Sequence, residues 1–503
     1  MDVSGKLTRL TGKRQLVMAF SAGAALALVQ APWSFPLAFF FAIPLLFRLH
    51  AGAVSARRAA LVGWIAGLAY FGLTLSWLVE PFLVDAAAQG WMAPFALFFM
   101  AAGLALFWAL AFGLARRGSM IAFAALWTFL ELARSYLFTG FPWALIGYGW
   151  ADTPVMQVIS VIGVPGLGFL TILLAVLVGQ VIRGDWRNVV AGLAILAVLW
   201  GFGSYRLSQP VPERASPFSV RVVQPNAAQE LKWLPEFMQV FFERQLALTA
   251  GDGGPQPDLV IWPEAAVPFI PSARPDLLQR MAAEAGGARV VFGARRVDAD
   301  NRWYNSLYLL DPLGNISAQY DKRHLVPFGE YFPLADWVAR LGIDALTGLT
   351  GTGFTAGEGP VLVETDTVPA FLPLICYEAI FAQDVPLSGP RPEWLLQITN
   401  DAWFGRFSGP YQHLVQARAR AIEQGLPLVR SANTGVSTVT DPFGRILAAI
   451  PLGQPGSIDV RLPAPLPRPL YSRTGDWPVF GILLLLAFWQ LFRGRRRKSG
   501  EFS

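Results

Sequence analysis

The sequence is poor in charge and has a single cysteine. Charged residues make up 15% of its 503 residues, against about a quarter in an ordinary soluble domain. Hydrophobic residues make up 54%. One cysteine cannot form an intramolecular disulfide, so any chemical role of Cys376 is that of a free thiol. His324 and His413 belong to no Cys or acid cluster with ligand spacing, so we expect neither a metal nor another cofactor.

The apolar residues predict a membrane protein. Stretches near the spanning length of about 20 residues recur through the chain and predict about eight spans. The net charge of +6 does not indicate a nucleic-acid partner, because the basic residues form short clusters beside these stretches, as membrane topology requires. The stretches are Gln15–Gln30, Ser34–Phe47, Ala59–Val79, Trp91–Ala115, Met120–Leu137, Val155–Ile182, Asn188–Gly203 and Trp477–Phe492.

The first two stretches are short and leave two alternatives open: a tight hairpin or one broken element. The first also resembles a signal peptide, with Lys13-Arg14 before it, although the spans that follow favour a retained helix. Within the fifth stretch, Glu131 and Arg134 lie about one helical turn apart, and we expect them to pair.

Loop charges predict the orientation in the membrane. Basic residues precede the first stretch and follow the second, fourth, sixth and eighth, whereas Glu80–Gly90 and Thr139–Pro154 contain no Lys or Arg. The positive-inside rule therefore predicts that both termini are cytoplasmic and that the polar block before the last span lies outside. In a bacterium with two membranes this is a multi-pass inner-membrane protein with a periplasmic domain.

The chain divides into three predicted parts. Residues 1–204 carry the first seven helices, residues 205–475 form an extramembrane domain, and residues 476–503 carry the last helix and a basic tail. Strand-like and helical runs alternate through the polar block, which predicts an α/β layered domain. Glu264, Cys376 and Asn400 each follow a predicted strand, where open α/β sheets place their active sites.

Three residue types in this block indicate acyl transfer. A lone cysteine after an apolar strand is most often a small buried residue, and Lys322 alone reads as a surface lysine. Glu264 alone reads as a solvated loop acid or the start of a helix. Together they offer a nucleophile, a base that takes its proton and a cation that stabilises an oxyanion.

The order of several short motifs resembles the nitrilase (carbon–nitrogen hydrolase) superfamily, and within it the apolipoprotein N-acyltransferase branch, over essentially the whole chain. The resemblance implies a nitrilase-like αββα sandwich on a polytopic α-helical membrane domain. The motifs are Gln224-Pro225-Asn226, Lys232-Trp233, Trp262-Pro263-Glu264, His324–Tyr331, Cys376-Tyr377-Glu378, Asn400–Phe404, Gln412-His413-Leu414 and Asn433-Thr434-Gly435.

The resemblance also implies a two-step reaction and its participants. The Cys376 thiolate takes an acyl chain from a phospholipid, expected to be phosphatidylethanolamine, and passes it to the α-amino group of a diacylglyceryl-cysteine at an apolipoprotein N-terminus. Glu264 is the implied base and Lys322 the oxyanion stabiliser. The implied supporting or substrate-binding residues are Trp233, Glu330, Tyr377, Glu378, Asn400 and Trp403.

Two other classes of function remain open on the sequence alone. A membrane-tethered amidase or nitrilase would pass its thioester to water, and a transporter or scaffold would only bind lipid. Nothing in the sequence requires more than a monomer. The Gly-rich stretch Thr347–Gly359 is a mobile lid, a membrane-facing loop or an ordinary surface loop.

Overall fold

The computed structural model describes residues 12–116, 118–251, 253–333, 353–385 and 389–499. The chain forms two compact units, and each is built from separate segments of the sequence. The first contains residues 1–209, 407–419 and 468–503, and the second contains residues 210–406 and 420–467. Residues 347–352 of the Gly-rich stretch Thr347–Gly359 lie outside the described residues.

The first unit is helical at each predicted span. Its early helices are α1 (Lys13–Ala27), α2 (Phe39–Ala51), α3 (Ala56–Thr74), α4 (Ala93–Leu114), α5 (Met120–Arg134), α6 (Ile159–Val178) and α7 (Trp186–Leu207), and Trp477–Ser499 joins them from the C-terminal part of the chain.

Three helical segments of the described chain are long and apolar enough to cross a membrane: Ala86–Leu114, Pro154–Arg183 and Trp186–Leu207. A fourth is possible if Ala56–Thr74 and Ser76–Leu83, bent by 64°, count as one span. Helices α1, α2 and α5 have only 15, 13 and 15 residues, and a helix of that length reaches about 20 Å, less than the hydrocarbon core of about 30 Å. The count of eight spans therefore stays a prediction.

The predicted pairing within α5 is confirmed. Arg134 Nη2 lies 3.4 Å from Glu131 Oε1, and both side chains are buried. Trp108 Nε1 donates to the same Glu131 oxygen at 2.8 Å, and Arg134 donates to the carbonyl of Trp143 at 2.8 Å. Each charge is thus balanced by an opposite charge and by hydrogen bonds, as burial demands.

The second unit contains two β-sheets. The first has the order β11-β1-β2-β3-β4-β5 and the second the order β10-β9-β8-β7-β6. Strands β1–β3 are parallel to one another, as are β6–β8. The strands are β1 (Ser219–Gln224), β2 (Leu259–Ile261), β3 (Arg289–Val297), β4 (Trp303–Leu310), β5 (Ile316–Asp321), β6 (Phe371–Ile375), β7 (Trp394–Thr399), β8 (Leu428–Ala432), β9 (Ser437–Thr440), β10 (Ile446–Ile450) and β11 (Gly456–Arg461).

Helices cover the outer face of the six-stranded sheet. Helices α8 (Pro235–Ala250) and α9 (Pro275–Glu284) contribute Phe242, Leu246 and Met281 to a buried cluster with β2 and β3 residues. The two sheets contact each other on the opposite face, where Ser431 Oγ in β8 donates to the Val223 carbonyl of β1 at 3.0 Å. The remaining long helices are α10 (Gly409–Gln424) and α11 (Trp477–Ser499).

Close packing of α1 on α3 generates a test of the helical unit. A Cβ added at Gly23 would lie 2.0 Å from the Ala66 carbonyl oxygen, so we expect Gly23→Ala to lower the melting temperature in detergent by several degrees. A matched control is Gly103→Ala in α4, where a Cβ meets nothing within 4 Å. The control should be neutral or stabilising, because alanine is favoured over glycine in a helix by about 0.5–1 kcal/mol. Equal melting temperatures for the two variants would contradict this packing.

Candidate active site

The candidate site lies at the carboxyl ends of parallel strands in the second unit. Glu264 follows β2, Cys376 follows β6 and Asn400 follows β7 directly. Cys376 is 5% exposed and has a φ of +52°, a left-handed conformation that is costly for a side chain other than glycine. A backbone that turns sharply directly after a strand holds the thiol at the strand end.

The Lys322 ammonium lies between two carboxylates. It is buried, with Nζ 2.9 Å from Glu330 Oε1 and 3.7 Å from Glu264 Oε1. Asn305 Nδ2 donates to both acids, at 2.7 Å to Glu264 and 3.0 Å to Glu330. The Asn400 backbone N–H donates to Glu264 Oε2 at 2.8 Å. Both oxygens of Glu264 therefore accept hydrogen bonds, which hold the carboxyl group in one orientation.

The charges around Cys376 keep its proton in place. Burial raises the pKa of the Cys376 thiol, and the negative charge of Glu264 raises it further, against an opposing effect of Lys322. Burial by itself would lower the pKa of Lys322, but Glu330 and Glu264 outweigh it and raise that pKa. At rest the site thus favours a neutral thiol on Cys376 and a charged Lys322, so the thiol needs a base to become a nucleophile.

Glu378 joins the cysteine turn to the lysine segment. Its Oε2 accepts from the Ile375 N–H at 2.7 Å, and its Oε1 accepts from the Tyr320 hydroxyl at 2.7 Å and the Arg323 N–H at 2.8 Å. Burial raises the pKa of Glu378 and these hydrogen bonds oppose the rise. Since all these contacts are donors, the geometry favours the carboxylate, which fixes the position of Lys322 relative to Cys376.

A second buried chain of polar groups holds the backbone carbonyl of Cys376. Gln397 Nε2 donates to the Cys376 carbonyl at 2.9 Å. The Gln397 oxygen accepts from Arg430, which also pairs with Asp401. Asp401 in turn accepts from the Thr399 hydroxyl at 2.9 Å. Gln397, Arg430, Asp401 and Thr399 are all fully buried, so the strained cysteine backbone is anchored in the sheet.

The other predicted site residues differ in their distance from this centre. Tyr377 is buried, and burial raises its pKa. Trp233 stacks against the ammonium of Lys232, 5.4 Å from the ring centre, and Lys232 Nζ lies 3.5 Å from the Glu264 carbonyl oxygen. Trp403 is 41% exposed, and within the described ranges no hydrogen bond or ring contact joins it to Glu264, Lys322 or Cys376.

The sequence did not single out several residues of this site. Asn305, Gln397, Arg430 and Lys232 were not among the candidates, although Lys232 stands in a recognised motif. Each is a polar residue within or beside a strand or apolar segment, and a polar residue in such a place is the only feature of the sequence that indicates a buried role. Among the residues that the structure describes, no group of three or more His, Cys, Asp or Glu could hold a metal ion, and the two acids of the site are bridged by Lys322.

Two family descriptions match the sequence. Residues 22–177 match the apolipoprotein N-acyltransferase N-terminal domain, and residues 220–466 match the carbon-nitrogen hydrolase description. The apolipoprotein N-acyltransferase of Rhodopseudomonas palustris is 39% identical over 518 residues, with 96% of each chain covered. That of Brucella melitensis is 37% identical over 513 residues, also with 96% of each chain covered.

The chain belongs to the apolipoprotein N-acyltransferase family. It is therefore an acyltransferase whose second unit carries the carbon–nitrogen hydrolase domain. Among solved structures, an amidase from Nesterenkonia sp. is similar at 19% identity and a TM-score of 0.36, covering 51% of this chain and 94% of the amidase. The family assignment rests on the near full-length relatives.

The anchor of the cysteine carbonyl can be tested by Gln397→Glu. The substitution keeps the shape and the contact with Arg430 but replaces the amide that donates to Cys376 by a carboxylate oxygen that repels it. Loss of this hydrogen bond should slow acylation of Cys376 roughly 10- to 100-fold, the equivalent of about 1–3 kcal/mol. The measurement is single-turnover acyl-enzyme formation by mass spectrometry, with the melting temperature as control. A well-folded variant with the wild-type rate would disprove the anchoring role.

Proposed function

We propose that the protein transfers an acyl chain from a phospholipid to the α-amino group of an N-terminal diacylglyceryl-cysteine of apolipoproteins, through a thioester on Cys376. The observation that carries the proposal is the buried cluster of Glu264 and Lys322, 3.7 Å apart, whose charges both affect the pKa of Cys376, the only thiol in the sequence. The family name supports the acceptor class, and the apolar helices support a donor taken from the membrane.

In the first step Glu264 takes the thiol proton, and the sulfur of Cys376 attacks the ester carbonyl. The new C–S bond gives a tetrahedral oxyanion, which the Lys322 ammonium stabilises. The C–O bond to the glycerol then breaks, and protonated Glu264 returns its proton to the leaving oxygen. The products are a thioester and a lysophospholipid.

In the second step the neutral α-amine attacks the thioester. An N–C bond forms, Glu264 takes a proton from the amine, and the C–S bond breaks. The departing sulfur of Cys376 recovers the proton. The amide is more stable than the thioester, so the reaction runs toward the acylated lipoprotein. Glu330 holds Lys322 in place through both steps, and Glu378 keeps the two segments of the site together.

The proposed setting is the inner membrane of a bacterium with two membranes. Residues 1–204 and 476–503 form the membrane part, with about eight spans and both termini cytoplasmic, and residues 205–475 form the periplasmic catalytic domain. Because both substrates have acyl chains in the bilayer, the proposal requires the site to reach the outer leaflet. Phosphatidylethanolamine is the proposed donor, Trp233 and Trp403 are proposed to contact lipid, and a monomer is sufficient.

The decisive test compares Cys376→Ala and Glu264→Gln with the wild type in membranes containing labelled phosphatidylethanolamine. The wild type should form a thioester that an apolipoprotein-like lipopeptide discharges as an amide. Cys376→Ala should form none, and Glu264→Gln should slow acylation by at least about 100-fold, in the range of a lost general base. Acyl-enzyme and lipopeptide are followed by mass spectrometry.

A matched control is Glu243→Gln, which removes an exposed carboxylate of α8 that pairs with Arg280 at 2.6 Å. It should behave as the wild type, since exposed ion pairs contribute little. Full N-acylation by Cys376→Ala would refute the mechanism. Rapid release of free fatty acid without an amine acceptor would identify a hydrolase, and lipid binding without any thioester would identify a lipid-binding scaffold.

A further inference from the structure

A shallow recess lies beside the turn that carries Glu264; its volume of about 300 Å³ is mostly open to solvent, and the enclosed part is about 10 Å³. Its walls are largely apolar and come from the β2 exit, from α8 and from the segment before α8. They include Pro263, Val267, Met238, Phe241 and Trp233. Two polar side chains, Lys232 and Gln245, also line it and are 6% and 1% exposed.

Lys232 brings a buried positive charge that lacks a carboxylate partner. Its Nζ has one long hydrogen bond, to the Glu264 carbonyl oxygen at 3.5 Å, and lies over the Trp233 ring. Among the described residues no acid lies within ion-pair distance of it. An ammonium group has three N–H donors, so the Lys232 ammonium can donate further hydrogen bonds to an anionic oxygen in the recess.

Gln245 brings a buried hydrogen-bond acceptor without a donor. Its Nε2 donates to the Ala266 carbonyl at 2.8 Å, which fixes the amide orientation because a carbonyl cannot pair with the amide oxygen. The Oε1 atom then has no hydrogen-bond partner in the described chain. An orphaned buried acceptor costs about 1–3 kcal/mol, and a ligand that donates an N–H or O–H would relieve it.

Arg295 adds positive charge next to Trp233. Its Cζ lies 5.2 Å from the centre of the Trp233 ring and 5.6 Å from that of Trp303. It is exposed and has no ion-pair partner among the described residues. Arg295 is paired across the sheet with Asn305, and directly opposed residues of antiparallel strands project to the same side. Together, Lys232 and Arg295 place two positively charged groups against the ring of Trp233.

We propose that this recess binds the headgroup of the acyl donor, with Lys232 on the phosphodiester oxygen and Gln245 accepting a hydrogen bond from a terminal N–H or O–H. The inference rests on the proposed function and makes it more specific. Ethanolamine and glycerol headgroups carry both complementary groups, whereas choline has no proton to donate to Gln245. Lys232 and Gln245 would then determine which phospholipids acylate Cys376.

The test measures acylation of Cys376 in the full chain by mass spectrometry with four acyl donors. These are phosphatidylethanolamine, phosphatidylglycerol, phosphatidylcholine and p-nitrophenyl palmitate, which has no headgroup. The variants are Lys232→Met, Gln245→Met and Lys232→Arg. The matched control is Gln239→Met, which changes an exposed residue of α8 outside the recess and should retain the wild-type donor preferences.

With Lys232→Met we expect kcat/KM for phosphatidylethanolamine, relative to p-nitrophenyl palmitate, to fall at least tenfold, mainly through KM. Lys232→Arg should restore part of this ratio. With Gln245→Met the preference for phosphatidylethanolamine over phosphatidylcholine should fall by at least fivefold. Glycerophosphoethanolamine and inorganic phosphate serve as competitors. Inhibition by both in the wild type but not in Lys232→Met means that the recess recognises phosphate itself, and inhibition by neither means that the intact lipid is required.

A pH profile separates a charge effect from a structural one. Burial lowers the pKa of Lys232 to about 8, opposed by Glu264, so its charge is lost as pH rises through that value. The other charged groups near the recess are Arg295, beside Trp233, and Arg244, which donates to the Pro225 carbonyl of the wall at 2.9 Å. The KM for phosphatidylglycerol should therefore rise from pH 7 to pH 9 in the wild type and stay flat in Lys232→Arg.

The outcomes distinguish this inference from the proposed function. If the wild type forms a thioester with phospholipids and all variants keep its donor ratios and pH profile, the headgroup site is disproved while the acyl transfer stands. If the wild type forms no thioester with any phospholipid but reacts with p-nitrophenyl palmitate, the proposed donor is wrong and the headgroup site falls with it. If Lys232→Met shows no cooperative melting transition, Lys232→Arg takes its place in the comparison. If Gln245→Met shows none, Gln245→Leu takes its place.

Discussion

The buried ammonium of Lys322 is the constraint on which the site depends. Removing a charge of this kind from water costs several kcal/mol unless opposite charges and hydrogen bonds compensate. The carboxylates of Glu330 and Glu264 supply this compensation, at 2.9 and 3.7 Å. The two acids in turn need Asn305, the Asn400 N–H and the Val326 N–H, which donates to Glu330 Oε2 at 2.8 Å. One cation thus fixes two acids and the backbone segments that satisfy them.

The sheets supply the frame that brings these segments together. Parallel strands place their carboxyl ends at a common edge, and here β2 belongs to one sheet while β6 and β7 belong to the other. The turn after β2 packs closely against Gly293 in β3, where a Cβ would lie 2.7 Å from Glu264 Cα. Only glycine leaves room for the turn after β2 at that point. The position of the carboxylate is therefore determined by the packing of a neighbouring strand as much as by its own sequence.

The sequence predicted those parts of the fold that depend on local pattern. Short apolar runs ending in polar residues predict strands at 259–262, 370–375 and 394–398, before Glu264, Cys376 and Asn400, and each observed strand agrees within a residue.

Strand β4 was missed, since Asn305 and Ser306 interrupt its apolar run. Both polar residues are buried, and each has a hydrogen-bond acceptor there: Asn305 donates to Glu264, and Ser306 donates to Asp321. The burial of Lys322 and Lys232 was equally out of reach, because lysine is ordinarily a surface residue and only tertiary contacts reveal the compensation.

The resting site also explains how a nucleophilic cysteine can persist in the oxidising compartment proposed for it. Oxidation and disulfide exchange act on the thiolate, and here burial and the charge of Glu264 raise the pKa of Cys376 so that the thiol keeps its proton. In the proposed mechanism, Glu264 opposes ionisation of the thiol at rest but accepts its proton once sulfur begins to bond to a carbonyl carbon. At that stage negative charge moves from sulfur to the substrate oxygen, where the fixed ammonium of Lys322 stabilises it. In the proposed mechanism, reactivity therefore arises only with a substrate in place, and the buried charge of Lys322 would serve both protection and catalysis.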